Sequence, residues 1–535
     1  MEYLNELNEP QRKAVEQTEG PVMIIAGAGS GKTRVLMYRT AHLINTGVDP
    51  FNILALTFTN KAAREMRHRI STIVSPSEAK NVWMGTFHSI FSKILRIESD
   101  KITYPSNFTI FDTTDSRSLI KRLVKDNGLD PKIYKASIIH NRISNAKNNL
   151  ISPDEYENDE QIIIDDEASG RPKTAELYRM YNERLFKSGA MDFDDLLFNM
   201  NILLKEFGDV LYKYQQKFKY ILVDEYQDTN YAQYMIIKQL AAQHENICVV
   251  GDDAQSIYSF RGANIQNILN FKSDYSDCNV FKLEQNYRST QFLVNAANSL
   301  IEKNNDQIQK TIWTSNDKGY KIEVKKTATD NEEGKWIADK VFEQQNEHKA
   351  EPKDFAILYR TNAQSRSIEE ALRKQNIPYR IYGGLSFYQR KEIKDLMGYF
   401  RLTVNHDDEE ALKRIINFPK RGIGNTTIEK AIVAADKHSK SIWEILTSPD
   451  AFQLKINKGT IEKLREFITM IKSFRTLHDS YDAYQLAHHI ASSSGILKTL
   501  STDKTPEGVN RYENVQELLN GIKEFCEQKK KEDPE

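Results

Sequence analysis

The 535-residue chain is long enough for about three to four domains, and its 74 Lys and Arg residues nearly cancel its 75 Asp and Glu residues. This balance excludes a uniformly basic nucleic-acid-binding surface, so any such site must be local. Three widely spaced cysteines without a C-x-x-C pair argue against a disulfide framework or a zinc site and fit a reducing compartment. Because the acidic start lacks an apolar signal core and no run approaches about 20 apolar residues, we expect a soluble cytoplasmic protein without membrane contact.

Strand-like apolar runs alternate with helical patterns in the first half of the chain. The runs are VMIIAG, NILALTF, VWMGTF, YILVDE, NICVVGD and NVFKLEQ, and an amphipathic stretch follows each of them. This order predicts an α/β fold with a parallel sheet that is covered by helices.

The pattern changes three times along the chain. Strands are absent between about residues 112 and 190, a second set of strand-like runs (YKIEVKKTA, DFAILYRT and YRIYGG) follows after about residue 285, and helical patterns alone follow after about residue 385. We therefore predict two α/β domains, each interrupted by a mostly helical insertion. The predicted segments are 1–112 and 191–284 for the first domain, 113–190 for its insertion, 285–385 for the second domain and 386–535 for the second insertion.

The stretch MIIAGAGSGKTRVL combines a strand, a glycine-rich turn and the start of a helix. Glycines let backbone N–H groups surround a phosphate, and the new helix adds free amides and the positive end of its dipole. The pattern G-x-x-x-x-G-K-[ST] is met except that Ala26 replaces the first glycine. The alternative is a turn that serves packing alone. The predicted phosphate-contacting residues are Ala28, Gly29, Ser30, Gly31, Lys32, Thr33 and Arg34.

The run YILVDEYQDT ends a predicted strand with two acids, Asp224 and Glu225. Beside a phosphate-binding loop, such an acid can hold Mg²⁺ together with the hydroxyl of Thr33. Glu225 would then orient and deprotonate the attacking water. The alternative is that the two acids only cap the next element.

Two further loops carry candidate ligand contacts. In VVGDDAQSIYSFRGA, Gln255 could sense the γ-phosphate, while Tyr258, Phe260 and Arg261 suit stacking on unpaired bases. The alternative is that these aromatic side chains pack into the protein core, as aromatic residues in loops more often do. In LEQNYRST, Tyr287 could stack on adenine and Arg288 could reach the γ-phosphate, unless Arg288 is an ordinary surface residue.

Polar and aromatic residues also follow other predicted strands. Because ligands bind beyond the carboxyl ends of parallel strands, LALTFTNKAAREM and WMGTFHSI contribute candidates. These are Phe58, Thr59, Asn60, Thr86, Phe87 and His88. His88 could equally be a structural histidine. The amide of Gln11, in LNEPQRKAV, could pair with the adenine edge.

The acidic run MDFDDLL suggests a metal or nuclease site at first sight. The spacing of Asp192 and Asp195 is instead typical of a helix N-cap with a negative first turn. We predict capping.

Taken in order, nine motifs resemble the superfamily 1 DNA helicases of the PcrA/UvrD/Rep group. They are LNEPQRKAV, AGAGSGKT, LALTFTNKAAREM, GTFHS, DFDDLL, VDEYQDTN, VVGDDAQSIYSFRGA, LEQNYRST and YRTNAQSR. The resemblance implies two RecA-like P-loop motor domains with ATP between them and single-stranded DNA across them.

Individual roles follow from the same resemblance. Lys32 and Thr33 would serve the phosphates and Mg²⁺, Asp224 the metal and Glu225 the water. Gln11 and Tyr287 would hold the adenine, and Gln255 and Arg288 would sense the γ-phosphate. DNA-contact positions would be Phe58, Thr59, Asn60, His88, Tyr258, Phe260, Arg261, Asn362, Gly422 and Gly424.

The implied function is a 3′ to 5′ single-stranded DNA translocase and helicase that couples ATP hydrolysis to duplex unwinding in DNA repair or replication. Its partners would be single-stranded DNA, single/double-strand junctions, and RNA polymerase or repair proteins. The alternative is an ATP-gated regulatory module that displaces proteins or docks on RNA polymerase without unwinding. No segment resembles the added nuclease domain of a helicase-nuclease.

The chain departs from the family pattern at two places. Phe260 replaces a tryptophan that is common in the family, which keeps a smaller aromatic face. The last two helicase motifs do not occur in these 535 residues. We therefore expect an incomplete second motor domain and no unwinding until the remaining segment is supplied.

Overall fold

A computed structural model describes residues 2–304, 307–382 and 387–532, apart from the side chains of Arg261, Lys531 and Glu532. The predicted DNA contact of Arg261 therefore lies outside the described side chains.

The strands form one large and one small parallel sheet. They are β1 (Val22–Ala26), β2 (Ile53–Thr57), β3 (Trp83–Thr86), β4 (Thr109–Phe111), β5 (Ala190–Asp192), β6 (Tyr220–Val223), β7 (Ile247–Gly251) and β8 (Asn279–Leu283). The large sheet has the order β3-β2-β6-β7-β1-β8, and all its pairs are parallel. Its strands are the six apolar runs of the first half of the chain, so the prediction of a parallel α/β sheet is confirmed.

Helices connect and cover these strands. In the first 320 residues they are α1 (Glu9–Glu16), α2 (Lys32–Asn45), α3 (Asn60–Ile70), α4 (Pro76–Asn81), α5 (Phe87–Ile97), α6 (Thr113–Asp126), α7 (Ala136–Asn148), α8 (Pro153–Asn158), α9 (Glu160–Ala168), α10 (Thr174–Lys187), α11 (Phe193–Glu206), α12 (Gly208–Lys217), α13 (Tyr231–Ala241), α14 (Gln266–Leu269), α15 (Phe271–Asp274) and α16 (Gln291–Ile301). Beyond them lie α17 (Asp330–His348), α18 (Ser365–Lys374), α19 (Lys391–Val404), α20 (Glu409–Ile415), α21 (Asn425–His438), α22 (Ile442–Thr447), α23 (Lys458–Leu477), α24 (Ala483–Ser493), α25 (Ile496–Thr502) and α26 (Pro506–Glu532).

Alternate residues of the central strands β1, β2, β6 and β7 enter two different cores. Met23 and Ile25 of β1 pack into the core that contains α5, α11 and α13, whereas Val22 and Ile24 pack into the core that contains α1 and α2. All of β1 and β2 is buried, as expected for strands that are covered on both faces. Burial on both sides holds the strand ends, and hence the loops beyond them, in fixed positions.

The small sheet joins the predicted helical insertion to the rest of the chain. β4 and β5 pair in parallel at residues 109–111 and 190–192, directly beside the predicted insertion boundaries at 112 and 190. Helices α6 to α10 between them have a core of their own that contains Leu119, Tyr178 and Tyr181. Three-residue strands carry too little periodicity to be found from the sequence.

The chain divides into two compact units. One contains Met1–Tyr320, Val404–Lys413 and Asn425–Asn457, and the other contains Lys321–Thr403, Arg414–Gly424 and Lys458–Glu535. The first unit extends to residue 320, because β8 pairs with β1 and the segment after it contacts the loop that follows β1. The five segments predicted from the sequence remain predictions.

In the second unit, the strand prediction differs from the structure. The segments at 320–328, 354–361 and 379–382 form no strand among the described residues. Phe355, Ile357 and Tyr359 pack towards the core of α17 and α18, but Leu358 is 93% exposed. Parallel strands are stable when both faces are covered, which is not so for this segment.

None of the helices in the described ranges is both long and apolar enough to span a lipid bilayer.

Candidate nucleotide site and nucleic-acid groove

The loop between β1 and α2 has the backbone shape of a phosphate cradle. Gly29 and Gly31 have φ angles of +69° and +88°, in the left-handed region where a side chain is strained. Gly31 caps α2 without a side-chain hydrogen bond to the first turn. The first amides of α2 are therefore left to a ligand, and the helix dipole favours an anion there.

Two residues at the start of α2 each contact an acidic side chain. The Nζ atom of Lys32 is 2.9 Å from Oε2 of Glu225, and only 10% of the lysine side chain is exposed. The hydroxyl of Thr33 is 3.5 Å from Oδ2 of Asp224. The structure thus brings Lys32 and Thr33 next to two acids that follow about 190 positions later in the sequence, as the motif assignment predicts.

Glu225 has an unusual backbone conformation. Its φ angle is +51°, in the left-handed region that non-glycine residues rarely adopt. Such strain costs free energy and persists where the surrounding structure enforces it, often at functional sites. The conformation turns the chain directly after β6 and directs Glu225 to Lys32.

Asp224 and Thr33 form a donor set that fits Mg²⁺. Burial, followed by the neighbouring Glu225, raises the pKa of Asp224 to about 7. A nearby cation would offset this penalty. Among the described residues no cluster of three or more His, Cys, Asp or Glu could hold a metal. A hydroxyl and one carboxylate suit Mg²⁺, which takes its remaining ligands from phosphates and water.

Gln11, Tyr287 and Arg288 surround the same loop. Gln11 donates to the carbonyl of Ser30 at 2.9 Å, and Tyr287 donates its backbone N–H to the carbonyl of Gly29 at 3.0 Å. The hydroxyl of Tyr287 accepts from Asn8 at 2.7 Å. Arg288 follows with an exposed side chain. The predicted adenine residues Gln11 and Tyr287, and Arg288 of the predicted γ-phosphate residues, are therefore neighbours of the phosphate cradle.

A groove of about 1510 Å³ lies beyond the carboxyl ends of the strands. Predicted residues that line it are Phe58, Thr59, Thr86, Phe87, His88, Gln255, Tyr258 and Phe260. Glu225 lines it as well, so the groove reaches the nucleotide site. The Phe260 side chain is 76% exposed, and its ring centroid is 6.0 Å from that of Tyr258. An exposed pair of aromatic rings in a groove suits stacking on bases.

His88 and Phe193 form one wall of this groove. Their ring centroids are 5.7 Å apart in an edge-to-face arrangement. Burial lowers the pKa of His88 to about 4, so the imidazole is neutral at pH 7. Phe193 is 48% exposed. The sequence analysis assigns it no role, although DFDDLL is among the motifs that resemble the helicase family. The only signal for this role in the sequence is an aromatic residue directly after the N-cap residue Asp192.

Four predicted DNA contacts are not among the residues that line the groove. Asn60 begins α3 next to Thr59 but does not line the groove. Asn362, Gly422 and Gly424 belong to the second unit. There, Asn417 accepts the backbone N–H groups of Gly422 and of its two neighbours through one oxygen, which holds the GIG turn. These four roles remain predictions.

The acidic run at the start of α11 is a cap, as predicted. Asp192 and Asp195 form a reciprocal capping box. What the sequence did not indicate is a buried partner: Nζ of Lys147 lies 2.8 Å from Asp192 and 2.7 Å from Asp195, with no exposed side-chain surface on the lysine. The two carboxylates hold the pKa of Lys147 well above its ordinary value in spite of burial. Lys147 thus joins the insertion helix α7 to the groove wall.

Comparison with known proteins gives two matching family models and relatives that match 98–99% of this chain. The UvrD/REP helicase N-terminal domain matches residues 7–276, and the UvrD-like helicase C-terminal domain matches residues 281–535. The ATP-dependent DNA helicase PcrA of Leuconostoc citreum is 42% identical over 99% of this chain and 70% of its own length. Its namesakes in Bacillus subtilis and Staphylococcus aureus are 43% and 42% identical, over 98% of this chain and 70% of their own lengths. With its nucleotide cradle, its groove and these matches over almost every residue, the chain belongs to the UvrD/REP helicase family.

Proposed function

We propose that this chain is an ATP-dependent DNA helicase that moves 3′ to 5′ along single-stranded DNA and unwinds duplex in DNA repair or replication. One observation carries the proposal: Glu225 belongs at once to the ion pair with Lys32 and to the lining of the aromatic groove. A nucleotide site and a site for unpaired bases therefore share a wall. The direction of movement rests on the family resemblance.

ATP hydrolysis follows from the residues at the cradle. The amides of the loop and Lys32 would bind the phosphates, so Lys32 would exchange its contact with Glu225 for one with the nucleotide. Glu225 would then accept a proton from water as the water oxygen attacks the γ-phosphorus and the bond to the bridging oxygen breaks. Mg²⁺, held by Thr33 and Asp224, would neutralise phosphate charge when bound.

Arg288 and Gln255 would complete the site. A second cation near the γ-phosphate stabilises charge that develops during transfer. Gln255 donates its amide to Oδ2 of Asp252 at 2.6 Å and also lines the groove, so it can respond to both ligands. Gln11 and Tyr287 would hold the adenine.

Binding of single-stranded DNA would rest on aromatic stacking. Phe58, Tyr258, Phe260 and Phe193 present rings along the groove. Stacking is tolerant of sequence, as a protein that moves along DNA requires. The predicted contacts of Asn60, Arg261, Asn362, Gly422 and Gly424 would add polar and backbone interactions, the glycines with duplex DNA at a junction.

The alternative of a regulatory module without unwinding is supported by no observation of this chain, whereas relatives along its whole length are helicases by name. Contacts with RNA polymerase or repair proteins remain predictions from the resemblance. A cytoplasmic location is proposed because that compartment holds the DNA of the bacterial relatives.

The test measures ATP hydrolysis by the purified protein with and without single-stranded DNA, and strand separation on duplexes with a 3′ or a 5′ tail. We expect stimulation of hydrolysis by DNA and, once a segment with the last two helicase motifs is supplied, ATP-dependent separation of the 3′-tailed duplex only. ATP hydrolysis that is indifferent to DNA would contradict the proposal, and separation of the 5′-tailed duplex alone would contradict the direction.

A further inference from the structure

Gln227 lies between the proposed catalytic base and the loop that carries the groove aromatics. It follows Glu225 by two residues, in a short 3-10 turn after β6, and its side chain is 1% exposed. A buried glutamine must satisfy both ends of its amide, so its partners reveal what it joins.

The two ends of this amide reach different functional segments. Nε2 donates to Oε2 of Glu225 at 3.0 Å and to Asp228 at 3.2 Å, while Oε1 accepts the backbone N–H of Asp252 at 3.0 Å. The oxygen of Glu225 is the same one that contacts Lys32. One side chain therefore bridges the base and the first residue after β7.

The backbone of Gln227 adds a second connection to the same loop. Its carbonyl oxygen accepts the hydroxyl of Ser256 at 3.2 Å. Ser256 directly precedes Ile257 and Tyr258, which line the groove. Gln227 is thus hydrogen-bonded to Asp252 and to Ser256, the two ends of a segment that contains Gln255.

The space around this amide is restricted by Gly251. A Cβ atom at Gly251 would lie 2.7 Å from Oε1 of Gln227 and 2.6 Å from Ile268. The absence of a side chain at the end of β7 is what lets Gln227 reach Asp252. A bridge confined in this way can transmit a displacement of one loop to the other, since packed interiors shift in discrete steps.

We propose that Gln227 is a positioning residue that transmits occupancy of the groove to Glu225. Bases stacked on Tyr258 and Phe260 would fix the 252–260 loop, and Gln227 would then hold Glu225 in place for the attacking water. The inference rests on the proposed function and adds to it a residue through which DNA stimulates hydrolysis.

The experiment compares Gln227→Met with the wild type. Methionine keeps the length and volume but has no N–H donor and only a weakly accepting sulfur, so the side-chain hydrogen bonds to Glu225 and Asp252 are lost while the backbone bond from Ser256 remains. We expect the DNA-stimulated kcat to fall about tenfold, the rate equivalent of about one hydrogen bond. The KM for ATP and the Kd for oligo(dT) should stay near their wild-type values. A residue with a merely structural role would alter binding and rate together.

Two further variants separate the possible causes. Gln227→Glu keeps an acceptor for Asp252 but, as a carboxylate, offers Glu225 no donor, and it should lose stimulation as Gln227→Met does. Gln239→Met is the matched control: Gln239 also donates through its amide, to Asn201 at 3.1 Å, but on α13 and outside the groove lining. It should keep wild-type kinetics.

The outcomes distinguish this inference from the proposed function. Absence of DNA stimulation in the wild type would contradict the proposed function. Wild-type stimulation that persists unchanged in Gln227→Met or Gln227→Glu would overturn the role of Gln227 alone. Loss of ATP and DNA binding in both variants, with a lowered Tm, would also overturn it, because Gln227 would then be a structural residue.

Discussion

Nζ of Lys32 lies 2.9 Å from Oε2 of Glu225, beyond the carboxyl ends of strands β1 and β6. The lysine side chain is largely buried, whereas a third of the glutamate side chain is exposed. Each residue is thus held by the other in the position from which it would serve the nucleotide. Their contact is the point at which the phosphate-binding and water-activating parts of the site meet.

Replacing Lys32 with alanine should abolish ATP turnover and leave the fold intact. The lysine neutralises phosphate charge and contributes little to the core, so its loss removes transition-state stabilisation. Steady-state ATP hydrolysis and thermal unfolding measure the two effects. Near-normal turnover by a folded Lys32→Ala protein would contradict the assignment of the phosphate loop.

Replacing Glu225 with glutamine should preserve nucleotide binding but remove hydrolysis. The amide keeps the shape and the contact with Lys32, yet it cannot accept a proton from water. Binding of a fluorescent ATP analogue and single-turnover hydrolysis separate the two steps. Equal loss of binding and hydrolysis would assign Glu225 a structural role.

Replacing Phe260 with alanine should weaken binding of single-stranded DNA by about 1–3 kcal/mol, the usual contribution of one base–aromatic stack. Hydrolysis without DNA should change little, because Phe260 lines the groove and is not part of the loop between β1 and α2. Phe260→Trp, which enlarges the ring, is the matched control and should keep or strengthen binding. Unchanged affinity together with a collapse in Tm would show that Phe260 is a core residue.

Replacing Lys147 with methionine should destabilise the protein by about 3–5 kcal/mol, because two buried carboxylates lose their cation. Urea unfolding at pH 7 measures this change. Lys173→Met is the control: its pair with Glu176 is exposed, so its loss should change the free energy of unfolding far less than the loss of Lys147 does. Adding Asp192→Asn and Asp195→Asn to Lys147→Met should recover part of the loss. A Lys147→Met protein as stable as the wild type would contradict the ion-pair interpretation.

His88, which is partly buried in the groove wall, should make stability depend on pH in the acid range. Its pKa in the folded state is about 4, below the ordinary value of 6.5, so only the unfolded chain binds a proton between these two values. The contribution is therefore complete above pH 6.5 and is lost as the pH falls towards 4. His88→Gln should show a smaller decrease in unfolding free energy between pH 7 and pH 5 than the wild type. Equal decreases would indicate that His88 titrates normally.

The amino-acid sequence by itself determined the local elements of the motor. Continuous apolar runs predicted the six strands, glycine spacing predicted the turn before Lys32, and the position of Asp192 predicted a cap. Each of these features depends on residues within a few positions of one another, and short-range sterics and hydrogen bonds express them directly.

Tertiary structure decided the contacts on which the site depends. Four features of the site depend on surroundings that no local sequence pattern contains. They are the left-handed conformation of Glu225, the bridge from Gln227 to Asp252, the ring of Phe193 in the groove and the buried charge of Lys147. The exposed segment around Leu358 shows the same limit, since a strand-like run forms a strand only where neighbouring chains pair with it and cover it. Burial and pairing between distant segments are properties of the folded chain, because they depend on which surfaces the whole topology brings together.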